Sequence, residues 1–188
     1  MKNIFYFILS FVCIIVLLDI FISLAYIETK SPNNFTEKYG RCRKSDMNYV
    51  YFNEGFSMGK FNKGRYLNTY YPMEKTNNII RIGVLGDSYV EAFQVFERNH
   101  FIKILERKLN YKFIDSVQIL NFGRSGFDFG DMYVYYNRLV KEYNCDVNIF
   151  FVNNNDLNIK QKDVLIPKLK YVNNKFIITN EEMPRLYK

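Results

Sequence analysis

Apolar and polar positions fall into three regimes along this 188-residue chain. From Ile4 to Ile27 apolar residues are almost continuous, and Asp19 is the only charge among these 24 residues. A run of that length spans a hydrocarbon core about 30 Å thick as a helix. Asp19 costs about 2–3 kcal/mol on insertion, which the surrounding Ile, Leu and Phe offset. From Glu28 to Asn78 the pattern has no helical period. It is polar, rich in Asn and Tyr, and punctuated by Gly40, Gly55, Gly59 and Gly64.

From Ile79 onward, short apolar runs alternate with amphipathic stretches. "IIRIGVL" (79–85) is rich in β-branched residues and reads as a strand buried on both faces of a parallel sheet. "SVQILNFG" (116–123) and "DVNIFFV" (146–152) read as second and third strands. Between them the 3.6-residue spacing predicts a helix centred on His100–Leu109 and another over 127–144. Strand, helix, strand, helix, strand at this spacing implies right-handed crossovers and a parallel sheet. "LKYVNNKFIIT" (169–179) reads as a hairpin turning at Asn173-Asn174. "EGFSMGKFNKGRY" reads as a further hairpin in the middle segment, whose tyrosines suit either sugar stacking or a half-buried edge strand.

Three domains follow: a transmembrane signal anchor over 1–27, a membrane-proximal linker with extended pieces over 28–78, and an α/β domain over 79–188. Ser23-Leu24-Ala25 could serve as a signal-peptidase site, but the apolar stretch is long for a cleaved signal. Counting Lys30, Lys38, Arg41, Arg43 and Lys44 after the segment against Lys2 before it would place the bulk of the chain in the cytoplasm. A short N-terminal anchor ahead of a globular domain more often exports that domain. Single-pass, extracytoplasmic placement is therefore the expectation.

Composition narrows the classes. Hydrophobic residues are 48% and charged residues 24%, which suits one domain with a real core. The net charge is +7, but the lysines and arginines are scattered, form no basic arm, and accompany no nucleic-acid motif. Nucleic acid is not expected as a partner, and an attraction to anionic surfaces is the plainer reading. One histidine and three cysteines cannot build a zinc site, and no glycine-rich phosphate loop with its lysine is present. No metal and no cofactor are expected. Cys42 and Cys145 would pair in an oxidising compartment or stand as two thiols.

The candidate chemistry lies where the three strands end. Gly86-Asp87-Ser88, the stretch Asn121 to Gly126, and Asn153 to Asp156 each follow a predicted strand. In an open parallel sheet those ends form one crevice, where ligands bind. Ser88 would stand exposed at a strand-to-helix corner, near a helix N-terminus that favours negative charge. Acyl transfer needs a nucleophile and donors for the developing oxyanion. The backbone N–H groups of Ser88 and Gly126 and the side-chain amide of Asn155 are the candidate donors. On Gly-Asp-Ser alone, a helix N-cap with Asp87 as a turn residue is an equal reading.

In order and spacing, "VLGDSYVEAF", "LNFGRSGFD" and "NNND" resemble the SGNH/GDSL hydrolases, over residues 79–160. The resemblance implies a flavodoxin-like three-layer α/β/α sandwich, incomplete here, since the family has five strands and three are placed. It implies Ser88 as nucleophile, with Gly126 and Asn155 in the oxyanion hole and Asp87 and Asp156 in support. The substrate it implies is an ester of a cell-envelope glycan or lipid. Asn153 stands where the family has glycine.

The family's Asp-x-x-His block, which supplies the base, is missing. The one histidine, His100, lies 12 residues after Ser88 and reads as a surface or helix-terminal residue. After Asp163 the chain offers Glu181 and Glu182 but no histidine. Two expectations compete: a truncated serine esterase or acyltransferase, and a complete non-catalytic relative that binds carbohydrate or a partner from the membrane.

Overall fold

Secondary structure in this chain follows its capping residues as closely as its apolar pattern. The computed structural model describes residues 2–24, 32–36, 38–114, 116–161 and 167–179. It divides into two units, Met1–Ser31 and Pro32–Lys188. The first holds one helix, α1 (Lys2–Leu24), with no buried residue, long and apolar enough to cross a membrane. The Ser23-Leu24-Ala25 sequence runs past its described end, and Asp163, Glu181 and Glu182 lie outside the described residues.

The second unit opens with two antiparallel hairpins of four-residue strands. β1 (Asn33–Thr36) pairs with β2 (Gly40–Arg43), and β3 (Asn48–Tyr51) pairs with β4 (Ser57–Lys60). The hairpin expected over 54–66 is placed differently: β4 falls within that stretch, but its partner β3 precedes it and the turn lies at 52–56. This Asn- and Tyr-rich region contributes buried residues to the unit, among them Phe61, Tyr66 and Leu67.

The parallel sheet then forms from β5 (Ile80–Gly86), preceding the single-turn helix α2 (Ser88–Glu91), the helix α3 (Phe101–Phe113), β6 (Val117–Gly123), the helix α4 (Phe129–Arg138) and β7 (Val147–Phe150). The strand order is β6-β5-β7, all parallel. Adjacent strand residues point to opposite faces, and here each face has its own core. Leu85, Leu120 and Phe122 pack with Met132, Val134 and Tyr135 of α4. Val84, Val117 and Ile119 pack with Ile102 of α3. β5 and β6 are therefore covered on both sides, whereas Val147 and Ile149 leave one face of β7 exposed.

Side chains of α3 close the outer edge of β6. Asn110 donates to Val117 O at 2.8 Å and accepts from Val117 N at 2.7 Å, and Glu106 accepts from Ile119 N at 2.7 Å. Leu67 adds an antiparallel bridge to Asn121. The chain continues into β8 (Lys168–Val172) and β9 (Lys175–Thr179), an antiparallel hairpin. Asn173 and Asn174 both take positive φ, 50° and 59°, the geometry that matches a two-residue turn to strand twist. Cys42 and Cys145 are separate thiols, and burial pushes the Cys145 thiol up to about 11.

Candidate active site

The sheet is parallel, so the three strand ends and their loops lie at one edge. Asp87 and Ser88 follow β5, residues 124–128 follow β6, and residues 153–156 follow β7. Ser88, Gly126 and Asn155 line a single cleft of about 310 Å³ there, together with Asp128, Asp156 and Lys160. The three residues singled out in the sequence are thus neighbours around one space. Asp87 lines it as well.

The serine corner is built by its predecessor. Asp87, not Ser88, is the N-cap of α2, and its Oδ1 accepts the backbone N–H of Tyr89 at 2.9 Å. The Ser88 side chain is left exposed and uncommitted to capping. The expected helix N-terminus is a single turn, ended by Ala92 in the left-handed conformation (φ 47°). One turn has too few aligned peptides for a macrodipole. The expectation of a dipole-stabilised nucleophile is corrected on that ground.

Two glycines shape the corner's surroundings. A Cβ on Gly123 would lie 2.4 Å from the backbone N of Glu91, so α2 sits against the end of β6 only because that position has no side chain. Gly126 has φ +83°, a region that favours glycine, and open space around its missing Cβ.

The third loop is organised by Asn153. Its Oδ1 accepts the backbone N–H of Asn155 at 2.7 Å, and its Nδ2 donates to Asp87 Oδ2 at 3.2 Å. Its own N–H donates to Asp156 Oδ2 at 2.9 Å. Asp156 is 8% exposed, and its carbonyl receives the N–H of Phe129 at 3.0 Å. Asp128 caps α4 through Asp131 N, and its Oδ2 accepts from the N–H groups of Lys160 and Gln161. Partial burial, reinforced by Asp156, raises the Asp87 carboxyl above its ordinary value, against the hydrogen bond from Tyr89.

A second, mostly apolar hollow of about 360 Å³ adjoins the cleft, walled by Tyr89, Val90, Phe101, Phe151 and Val152 and sharing Asp87 and Asp156 with it.

His100 is not at the cleft. It is 2% exposed and is the N-cap of α3, its Nδ1 accepting from Ile102 N at 3.2 Å. Its ring stacks on Phe101 and its Nε2 lies 3.3 Å from Asn121 Nδ2. Burial lowers its pKa. It is the helix-terminal residue expected from the sequence, and buried.

Among the described residues no group of His, Cys, Asp and Glu could hold a metal ion. Sequence reasoning missed Asn153 as an organiser, and it missed Glu91 and Arg43, a buried pair beneath the serine corner. A lone acid inside the apolar stretch "SYVEAF" was the available signal for Glu91. No family model matches the chain, and no curated protein or solved structure does.

Proposed function

We propose that this chain carries an SGNH/GDSL-like acyl-transfer site, on a flavodoxin-like sandwich tethered to a membrane by α1. The observation that carries the reading is the single cleft lined by Ser88, Gly126 and Asn155, drawn from three different strand-end loops. Ser88 is the nucleophile in this reading, Gly126 N–H and the Asn155 amide are the oxyanion donors, and Asp87 and Asp156 brace the loops. The cleft carries Asp87, Asp128 and Asp156 against one cation, Lys160. That balance disfavours anionic substrates and suits neutral esters, such as an acylated envelope glycan or lipid. A single pass with the domain on the extracytoplasmic side accords with such a substrate.

Serine at its own pKa is a weak nucleophile and needs a base. Because His100 is committed to the α3 cap, the test supplies one. Full-length protein in detergent micelles is assayed on p-nitrophenyl acetate with added imidazole, beside Ser88→Ala. Turnover in the native protein well above that of the alanine variant supports the reading. Equal rates remove Ser88 from the chemistry.

The buried position of His100 favours a second reading, a membrane-tethered module that binds an acylated carbohydrate or a partner in the same cleft without turning it over. An O-acetylated oligosaccharide that binds by calorimetry, is recovered intact, and is lost with Asn155→Ala would select it.

A further inference from the structure

The loop that carries Gly126 is held from both sides of the serine. Arg124 N donates to Gly86 O at 2.9 Å, two residues before Ser88. Ser125 donates to the Glu91 carboxylate, three residues after Ser88, through its backbone N–H at 2.7 Å and its Oγ at 2.5 Å. Between Ser125 and Gly126 lies one peptide. Gly126 has positive φ, and Phe127 N donates to Arg124 O at 3.1 Å, closing a turn around that peptide. The hydrogen bonds of Arg124 and Ser125 tie this turn to the two sides of the serine corner.

Glu91 is itself immobilised. It is 1% exposed, and Arg43 of β2 grips both its oxygens, with Nε to Oε1 at 2.8 Å and Nη2 to Oε1 and Oε2 at 2.5 and 2.7 Å. The Arg43 guanidinium lies over Phe93 at 4.7 Å and Phe61 at 5.6 Å, which keep the pair dry. A two-point fork of this kind fixes orientation as well as charge. The carboxylate's remaining capacity is aimed at Ser125.

We propose that Glu91 is the positioning residue of this cleft: held by Arg43, it sets the Ser125–Gly126 peptide at a fixed place relative to Ser88. The inference rests on the acyl-transfer reading for its consequence, though not for its geometry. A donor displaced by about 1 Å costs on the order of 100-fold in rate, so the clamp matters to the transition state more than to binding.

Full-length Glu91→Gln is compared with native protein in micelles by two readouts. The first is the amide spectrum of selectively labelled serine and glycine. The Ser125 proton, deshielded by the carboxylate, is expected to move upfield, and Gly126 to shift with it. The second is imidazole-supported, Ser88-dependent turnover, expected to lose kcat by about 10- to 100-fold with KM within about twofold. Unchanged Ser125 and Gly126 amides in the folded variant overturn the proposal, as does native kcat. If Ser88→Ala equals native protein, the acyl-transfer reading fails and the amide spectrum alone decides the clamp. Should Glu91→Gln not fold, the Arg43→Met, Glu91→Gln pair, which removes both buried charges, takes its place in both readouts.

Discussion

Asp87 and Asn153, 66 residues apart, are joined side chain to side chain, Asn153 Nδ2 donating to Asp87 Oδ2 at 3.2 Å. The same aspartate caps α2, and the same asparagine closes the loop carrying Asn155. One contact therefore ties the serine corner to the third loop. Asp87→Ala is expected to lose about 1 kcal/mol through the cap alone. It should also loosen Asn155, whereas Asp87→Asn keeps a capping oxygen and most of the stability. Urea denaturation of the three proteins checks the order.

His100 gives the fold a pH dependence of known sign. Burial holds its folded pKa below the ordinary 6.5. Between the folded value and 6.5 the unfolded chain binds the extra proton, so the imidazole's contribution is present above 6.5 and is lost as pH falls through the folded value. His100→Asn keeps a good capping side chain and removes the titration. Melts at about pH 5 and about pH 7.5 should differ more for native protein than for the variant.

Gly123 and Gly126 separate two reasons for glycine. Gly123→Ala drives a Cβ into the backbone of Glu91 at 2.4 Å and of Val90 at 2.6 Å, and is expected to cost about 3 kcal/mol and to displace α2. Gly126→Ala meets no atom and carries only the conformational cost of its φ, about 1–2 kcal/mol. Chemical denaturation ranks the two.

Arg43→Ala strands a carboxylate that is 1% exposed, and is expected to cost about 3–5 kcal/mol. Replacing Arg43 and Glu91 together by methionine removes both charges and should be milder than the single change. A double-mutant cycle on thermal midpoints measures the difference.

What the sequence disclosed was whatever follows a short-range rule. The β5, β6 and β7 strands are β-branched apolar runs, and the Asn173-Asn174 turn has its own chemistry, so both were legible. The convergence of three loops followed from strand direction. The hairpins of β1 to β4 were harder, because four-residue strands such as "NNFT" and "GRCR" carry no period. The shortness of α2 was hidden because Ala92, a good helix former, takes the left-handed conformation that ends it. Nothing local marks Arg43 as the partner of Glu91, 48 residues away. Such pairs are decided by packing, and packing is not written in spacing.

The treatment of β6 gives the sheet a direction. Asn110, Glu106 and Leu67 occupy the backbone groups that another strand would need. The far edge of β7 pairs with no described strand, and Val147 and Ile149 beside it are 47% and 36% exposed. An unpaired edge is a template for any extended chain that meets it. In the language of polymers, β6 is a terminated end, and among the described strands β7 is the end left open to an added one.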